Sequence, residues 1–346
     1  MAEFDLLPKG TVVVTDKNLD RPATSDSARP FSVREQIGDI LFRSIARSAG
    51  GITVGIMLAV GLFLALNGSQ AISAAGFNFL TEQAWQPQAH KFGIAAVLSG
   101  TVTIAIIALC VSFPLAFGTA LLISEVLPDR LKSLVIPVVD LMAAVPSVIF
   151  GLWGVFFLQA NVIPVSQFMS TFLGWIPFFA VTDAQGNHLT EPSAFTSSAF
   201  IAGIVVGLMV VPTQTSVMRE AFSQAPIGER EGALALGSTR WGMIQAVVLP
   251  FGRGGIIGGT MLGLGRALGE TIAVYMIISP IFTINLQVLQ SGTNSVSSLI
   301  ALRYGESTPF GLSALMAAGL VLFLITMAIN FTASSIVARS RSGADN

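Results

Sequence analysis

The stretch Glu231-Gly232-Ala233-Leu234-Ala235-Leu236-Gly237 is followed, after nine further residues, by Val247-Val248-Leu249-Pro250. Both segments lie in a loop, residues 219–253, that carries charged side chains and separates two long apolar runs. A structured loop beside a membrane offers a neighbouring protein a surface to push against. This pattern predicts a membrane protein that another polypeptide contacts at this loop.

The loop 219–253 contains residues that start and stop helices. Pro226 suits the first turn of a helix, and Gly237 suits the left-handed conformation that ends one. Thr239 is placed to cap a second helix, which is predicted to end before Pro250. One face of this second helix is predicted to be an apolar docking surface, made of Trp241, Ile244, Val247 and Val248. The residues alone allow two interpretations. The helical hairpin either docks on another protein or only packs against the membrane helices of this chain.

The composition indicates an integral membrane protein. Of the 346 residues, 53% are hydrophobic and only 11% are charged, and the mean hydropathy is +0.75. Soluble domains usually carry about 25% charged residues. Cys110 is the only cysteine, so a disulfide framework is excluded, and His90 and His188 are too few for a histidine metal site. No cofactor or metal is expected on this chain.

Six apolar runs reach the length of about 20 residues that a membrane helix needs. They are residues 49–66, 94–123, 134–158, 196–218, 254–279 and 310–337. A further uncharged run, residues 162–181, is predicted to be amphipathic or re-entrant on the outer face. The predicted parts of the chain are a flexible N-terminal tail (1–40), a first span with an outer loop (41–91), a five-span core (92–338) and a C-terminal tail (339–346).

The basic residues predict the orientation of these spans. Fifteen of the 18 Lys and Arg residues lie in residues 1–48, in the C-terminal tail and in the loops after the second and fourth spans. The positive-inside rule places such segments in the cytoplasm. Both termini and the loop 219–253 are therefore predicted to be cytoplasmic, in an all-α protein of six transmembrane helices.

Two charged residues inside the predicted fifth span stand out. Arg266 lies near its middle, and Glu270 follows four residues later, so that on a continuous helix the two side chains would be neighbours. Charges within a membrane are costly and usually face a bundle interior or a polar path. Arg266 could bind a tetrahedral oxyanion with Glu270 weakening its hold, or the two could form an ion pair that ties the bundle together. Asp140, in the third span, is either a path residue or an interfacial carboxylate with a hydrogen-bond partner.

The loop 219–253 resembles the EAA loop of the permeases of ABC importers, which has the spacing Glu-Ala-Ala, three residues, Gly, nine residues, Ile, any residue, Leu-Pro. The matching positions are Glu231, Ala233, Gly237, Leu249 and Pro250, whereas Gly232 and Val247 replace the first Ala and the Ile. The resemblance implies that these residues couple the chain to an ATPase subunit. The chain has no Walker A motif, so ATP and Mg²⁺ are expected on that partner.

Two further segments are similar to the phosphate-specific permeases of the PstC type: Gly263-Leu264-Gly265-Arg266-Ala267-Leu268-Gly269-Glu270-Thr271 and Ala144-Val145-Pro146-Ser147-Val148-Ile149-Phe150-Gly151-Leu152-Trp153-Gly154. The similarity runs from about Phe92 to the C-terminus. It implies a type I ABC-importer architecture in the bacterial inner membrane and carries the family's intramembrane Arg and Glu onto Arg266 and Glu270. The implied partners are a PstA-type permease, two ATPase subunits and an extracytoplasmic phosphate-binding protein, within a lipid bilayer and without nucleic acid.

Other functions remain open at this point. A permease for sulfate or molybdate would have the same architecture. A proton-coupled secondary transporter could use Arg266 and Glu270 as a relay, although neither a second such span nor an inverted repeat is visible. An intramembrane enzyme would need a nucleophile with a base, or metal ligands, and two scattered histidines and one cysteine within an apolar run supply neither.

Overall fold

The structure is a computed structural model that describes residues 37–183 and 185–342, so most of the predicted N-terminal tail and the last four residues lie outside it. The α-helices are α1 (Ile37–Ala75), α2 (Asn78–Thr81), α3 (Ala95–Leu121), α4 (Asp129–Ala143), α5 (Ser147–Trp153), α6 (Gln159–Leu173), α7 (Ala199–Ser223), α8 (Ile227–Ala235), α9 (Arg240–Met243), α10 (Leu249–Gly269), α11 (Ile272–Ile277), α12 (Val296–Arg303) and α13 (Pro309–Ser342). Strands β1 (Trp85–Gln86) and β2 (Lys91–Phe92) pair antiparallel.

Six helices of the described residues are long and apolar enough to cross a membrane, which confirms the predicted fold class. They are Ile40–Ala75, Ala95–Val126, Ser147–Leu173, Ala199–Ser223, Arg240–Gly269 and Pro309–Ile336. Three of them contain one turn of π-helix, at Leu122–Val126, Gly154–Leu158 and Ile244–Val248. The chain divides into two units, residues 1–56 and 57–346, and the helices α2 to α13 belong to the second.

The third span differs from its predicted position. The structure places it at Ser147–Leu173, whereas residues 134–143 belong to the separate helix α4, which buries none of its residues. Pro146 explains the break, because it disfavours the α conformation at the preceding residue and has no N–H to donate. The predicted re-entrant segment 162–181 is also corrected, since its residues up to Leu173 form the second half of this span.

The fifth span differs at both ends. It begins at Arg240, before Pro250 rather than after it, and it ends at Gly269 rather than at residue 279. The prediction of a helix that ends before Pro250 is therefore wrong. The π-turn at Ile244–Val248 precedes this proline, and the wider turn accommodates a residue that cannot donate a backbone hydrogen bond.

Helix α7 forms the centre of the larger unit, with α3 and α10 packed against it. The main core cluster contains Ile104 from α3, Val206 and Met209 from α7, and Leu268 from α10. Glycines of α10 face α7. A Cβ at Gly255 would collide with Ala221, and one at Gly263 would collide with Gln214. Small residues in this stripe let the two helix backbones approach closely, which is how helices associate in a membrane.

We predict that Gly255→Ala destabilises the protein, because the added methyl group forces α10 away from Ala221. Overpacking of this kind costs about 1–3 kcal/mol. Gly258→Ala is the matched control, since it lies on the same helix with no atom within 4 Å of the added Cβ. The melting temperature of the detergent-solubilised protein should fall for G255A alone. Equal melting temperatures for the two variants would contradict close packing at Gly255.

Candidate functional site

The structure confirms the predicted helix–turn–helix at Gly237 and Thr239, although its second helix continues past Pro250 as the fifth span. Helix α8 ends at Ala235, and Gly237 has the left-handed backbone conformation, with φ +86°. The Thr239 side chain accepts a hydrogen bond from the Gly242 N–H at 3.1 Å and so caps the second helix. Both ends of the connection are fixed by local residues, which makes the hairpin a defined shape rather than a loose loop.

The exposed face of the hairpin is not the face that the sequence predicts. Ile244 and Val248 are buried in an apolar cluster with Met218 and Phe222, so they hold the hairpin to the bundle. Trp241 is exposed, and Val247 is half-buried. The apolar side chains that point away from the bundle are instead Ile227, Leu234, Leu236 and Trp241, and Leu236 is 91% exposed. We call these four residues the hairpin patch.

The motif residues divide into two groups by burial. Ala233 and Leu249 are partly buried against the apolar cluster around Phe222. Glu231, Gly237 and Pro250 are exposed. The structure therefore brings Ala233 and Leu249 together as anchors, whereas Glu231 lies free on the outer surface of α8.

An ion pair that sequence reasoning missed ties α8 to the end of the second span. Arg230 Nη1 lies 3.0 Å from Glu125 Oε2, and the Glu125 side chain is only 4% exposed. Arg230 Nη2 also donates a hydrogen bond to the Phe222 carbonyl, and Ser124 Oγ donates one to Glu125 Oε1. A charged glutamate at the end of an apolar run was the available signal, but its partner lies 105 positions away in the sequence.

Arg266 lies in the last turn of α10 rather than at the middle of a span. Its Nη1 donates a hydrogen bond to Thr213 Oγ1 of α7 at 3.2 Å. Because Thr213 uses only one of the five guanidinium N–H groups, the side chain retains donors for a ligand. Arg266 is half-buried. Its side chain is therefore fixed by Thr213 and still accessible to a ligand.

Glu270 does not pair with Arg266 among the described residues, so the predicted i to i+4 geometry is wrong. The helix ends at Gly269, and Glu270 has an extended backbone with ψ 127°. Its Oε1 accepts a hydrogen bond from the Ala273 N–H at 3.2 Å, and its carbonyl accepts one from Ser297 Oγ at 2.7 Å. The break in the span thus has internal partners for its polar groups, as an apolar environment requires.

A groove of about 540 Å³ opens beside Arg266, between α10 and α13. Its polar side chains are Arg266, Thr326 and Asn330; its other lining residues are Leu262, Gly265, Gly269, Gly319, Leu322 and Phe323. Concave sites with a few polar groups among apolar ones are typical of ligand sites. The groove can therefore hold a small anion against the one cation in its lining.

Asp140 lies apart from this groove. It is exposed on α4, where its Oδ1 accepts a hydrogen bond from Ser216 Oγ of α7 at 2.9 Å. This arrangement matches the interfacial alternative, in which the carboxylate has a partner on the neighbouring helix. Its role in a path remains a prediction.

Comparison with known proteins places these features in a family. A sequence model of the family described as "Binding-protein-dependent transport system inner membrane component" matches residues 112–342. The chain is 39% identical over 302 residues to "Phosphate transport system permease protein PstC" of Mycobacterium leprae, covering 86% of this chain and 92% of that protein. It is 36% identical over 310 residues to "Phosphate transport system permease protein PstC 2" of Mycobacterium tuberculosis, covering 88% and 94%.

A solved structure supports the same fold. The chain aligns with a TM-score of 0.54 and 17% identity to a chain of the bacterial alginate ABC transporter in complex with an alginate pentasaccharide-bound periplasmic protein, covering 87% of this chain and 96% of that one. The six membrane helices, the capped hairpin and the family match agree with one another. The chain belongs to the family of binding-protein-dependent transport system inner membrane components.

Proposed function

We propose that this chain is a transmembrane subunit of an ATP-driven, binding-protein-dependent importer that moves inorganic phosphate into the cytoplasm. The observation that carries the proposal is the position of Arg266, a half-buried cation at a broken membrane helix and in the lining of a groove. The relatives named as phosphate transport permeases, at 34–39% identity and with most of each chain covered, support this choice of anion.

Arg266 would bind the anion transiently, so that the anion is released during transport. The planar guanidinium offers paired N–H donors that fit two oxygens of a tetrahedral oxyanion. Thr213 fixes the side chain through Nη1 and leaves the remaining donors for the groove. Glu270, at the break directly after α10, places a negative charge near the end of the same helix, which would weaken the binding and favour release.

The coupling to ATP would run through the hairpin patch. Exposed apolar side chains on a rigid, capped hairpin suit a docking surface for a separate ATPase subunit. Glu231 and Gly237 lie on this exposed part of the chain. Ala233 packs against the bundle, and Leu249 and Pro250 are the first residues of α10. ATP and Mg²⁺ would be bound by two copies of that subunit, and this chain would hold no cofactor.

The remaining partners follow from the same family. A homologous PstA-type permease would complete the path, and an extracytoplasmic phosphate-binding protein would deliver the anion at the opposite end from the hairpin. The distribution of basic residues favours cytoplasmic termini and a cytoplasmic loop 219–253 in the bacterial inner membrane. A sulfate or molybdate permease is the second candidate, because the fork of Arg266 fits any tetrahedral oxyanion.

The importer proposal is tested by uptake of radiolabelled phosphate into proteoliposomes that contain this chain, its partner permease, the ATPase and the binding protein. Uptake should require ATP and resist excess sulfate. Arg266→Ala should lower it at least tenfold, and Arg266→Lys should fall between, because lysine keeps the charge but loses the fork. Arg253→Ala, on the exposed start of α10, is the control. Normal phosphate uptake by R266A would contradict the role of Arg266.

The docking surface is tested separately. Leu236→Ser should lower the affinity of the membrane subunits for the ATPase about tenfold. The substitution removes an apolar side chain that is exposed in this chain and would be buried at the proposed interface. Phe77→Ser removes a similarly exposed side chain, 86% accessible, between α1 and α2. Only L236S should weaken copurification of the ATPase and its stimulation by the binding protein. Equal behaviour of the two variants would place the ATPase elsewhere.

The Glu125–Arg230 ion pair should hold the hairpin in register with the second span. Arg230→Met leaves the buried Glu125 carboxylate without its cation, which costs about 3–5 kcal/mol. The double variant Glu125→Gln with Arg230→Met should recover part of the lost melting temperature, because no buried charge remains.

The control for these variants is the exposed ion pair between Arg303 and Glu306, whose charged atoms lie 3.9 Å apart. Glu306→Gln should leave the melting temperature unchanged, since exposed pairs contribute little. A double variant as unstable as R230M, or a large effect of E306Q, would show that burial of the first pair does not matter.

A further inference from the structure

Gln214 of α7 carries a buried amide that makes no hydrogen bond to the described residues. Its side chain is fully buried, and within that part of the chain neither Nε2 nor Oε1 has a partner. The Ser112 hydroxyl of α3 is also buried and unpartnered. Leaving a buried donor or acceptor unpaired destabilises the conformation that buries it. Such groups are rare in native proteins, and each calls for an explanation.

The position of Gln214 connects it with Arg266. Its amide packs on Gly263, which precedes Arg266 by three residues on α10 and so lies on the same face of that helix. The preceding residue on α7, Thr213, accepts the hydrogen bond from Arg266. The Gln214 amide and the Arg266 guanidinium therefore lie one helical turn apart along the contact between α7 and α10. We call this contact the α7–α10 seam.

The space beside this seam is tightly packed. The gap between α3, α7 and α10, lined by Ser112, Val210, Gly263 and Ala267 among others, has no room for a water molecule. A buried polar group is normally satisfied by the protein or by water. No group of the described residues bonds the Gln214 amide, so its hydrogen-bonding capacity is unused in this conformation.

We propose that Gln214 is a specificity-determining residue of the anion path, which bonds the anion when the α7–α10 seam opens. This inference rests on the proposed function. In the open state the amide Nε2 would donate to an oxygen of a tetrahedral oxyanion held by Arg266, while Ser112 becomes hydrated. A neutral amide adds a directed hydrogen bond without a second charge, so it would orient the anion without trapping it.

An importer alternates between outward-open and inward-open states. The unpaired Gln214 amide would favour opening of the α7–α10 seam during this transition. The unpaired Gln214 amide raises the free energy of the conformation in which the seam is closed. In the open conformation the amide would pair with the anion, so this unfavourable contribution is removed. The anion would therefore shift the equilibrium towards the open seam by binding it better than the closed one, which is the condition for any ligand-driven transition.

The first test compares Gln214→Met with the wild type in the reconstituted importer. Methionine keeps the length of the side chain but removes both hydrogen-bonding groups. We expect phosphate uptake to fall at least tenfold while the melting temperature is retained or raised, because a buried unpaired amide has been removed. Ser166→Ala is the matched control, since its buried hydroxyl on α6 is also unpartnered but lies outside the seam. It should leave uptake unchanged.

Three outcomes of this test would overturn the inference. Uptake by Q214M near the wild-type rate would remove Gln214 from the path. Loss of uptake together with a lower melting temperature would make it a structural residue. A loss in S166A equal to that in Q214M would attribute the effect to any buried polar group. A wild-type importer that hydrolyses ATP without moving phosphate would instead overturn the proposed function.

The second test follows the opening of the seam without reference to the anion. Ser112→Cys, in a Cys110→Ser background, is treated with a water-soluble methanethiosulfonate reagent in the nucleotide-free and the ATP–vanadate-trapped importer. Labelling should be at least fivefold faster in one state than in the other. Equally slow labelling in both states would show that the seam stays closed and would overturn the inference, whatever anion the importer carries.

Discussion

The close approach of α7 and α10 is the constraint on which the rest of the larger unit depends. Lipid tails are as apolar as the helix surfaces, so burial of apolar area gives little drive for association, and close packing of backbones has to provide it. Gly255, Gly259 and Gly263 leave the room for this packing. The same contact sets Arg266 beside Thr213 and Gln214 against Gly263. The glycine stripe therefore positions the polar residues as well as holding the bundle.

Interruptions of helices are the second organising feature. A broken helix in a membrane exposes backbone groups that water cannot reach, so each break needs partners from the protein. At Glu270 these partners are the Ser297 hydroxyl and the glutamate's own side chain, which accepts from Ala273. The polar residues that satisfy the break also surround the end of α10. This explains why a charged pair in the sequence becomes two separate sites in the structure.

The sequence predicted the features that depend on local residues. The number of spans follows from the length of apolar runs, and the hairpin follows from Gly237 and Thr239, whose preferences act within one turn. The third span is predicted in the wrong place because residues 134–143 of α4 contain a single charged side chain, and hydropathy does not register the break before Pro146. The ion pair of Glu125 with Arg230, and the contact of Gln214 with Gly263, join residues far apart in the chain. No periodic pattern marks such contacts, so only the fold reveals them.

The helix that runs from Arg240 to Gly269 has a mechanical consequence. Its 30 residues make a rod of about 45 Å at 1.5 Å per residue, continuous through the π-turn before Pro250. The capped hairpin is joined to one end and Arg266 lies near the other. A tilt of about 5° at the hairpin would carry the far end through about 4 Å, more than the length of the hydrogen bond that Arg266 makes. The rod is thus a lever, in which a small rotation at one end becomes a displacement large enough to exchange partners at the other.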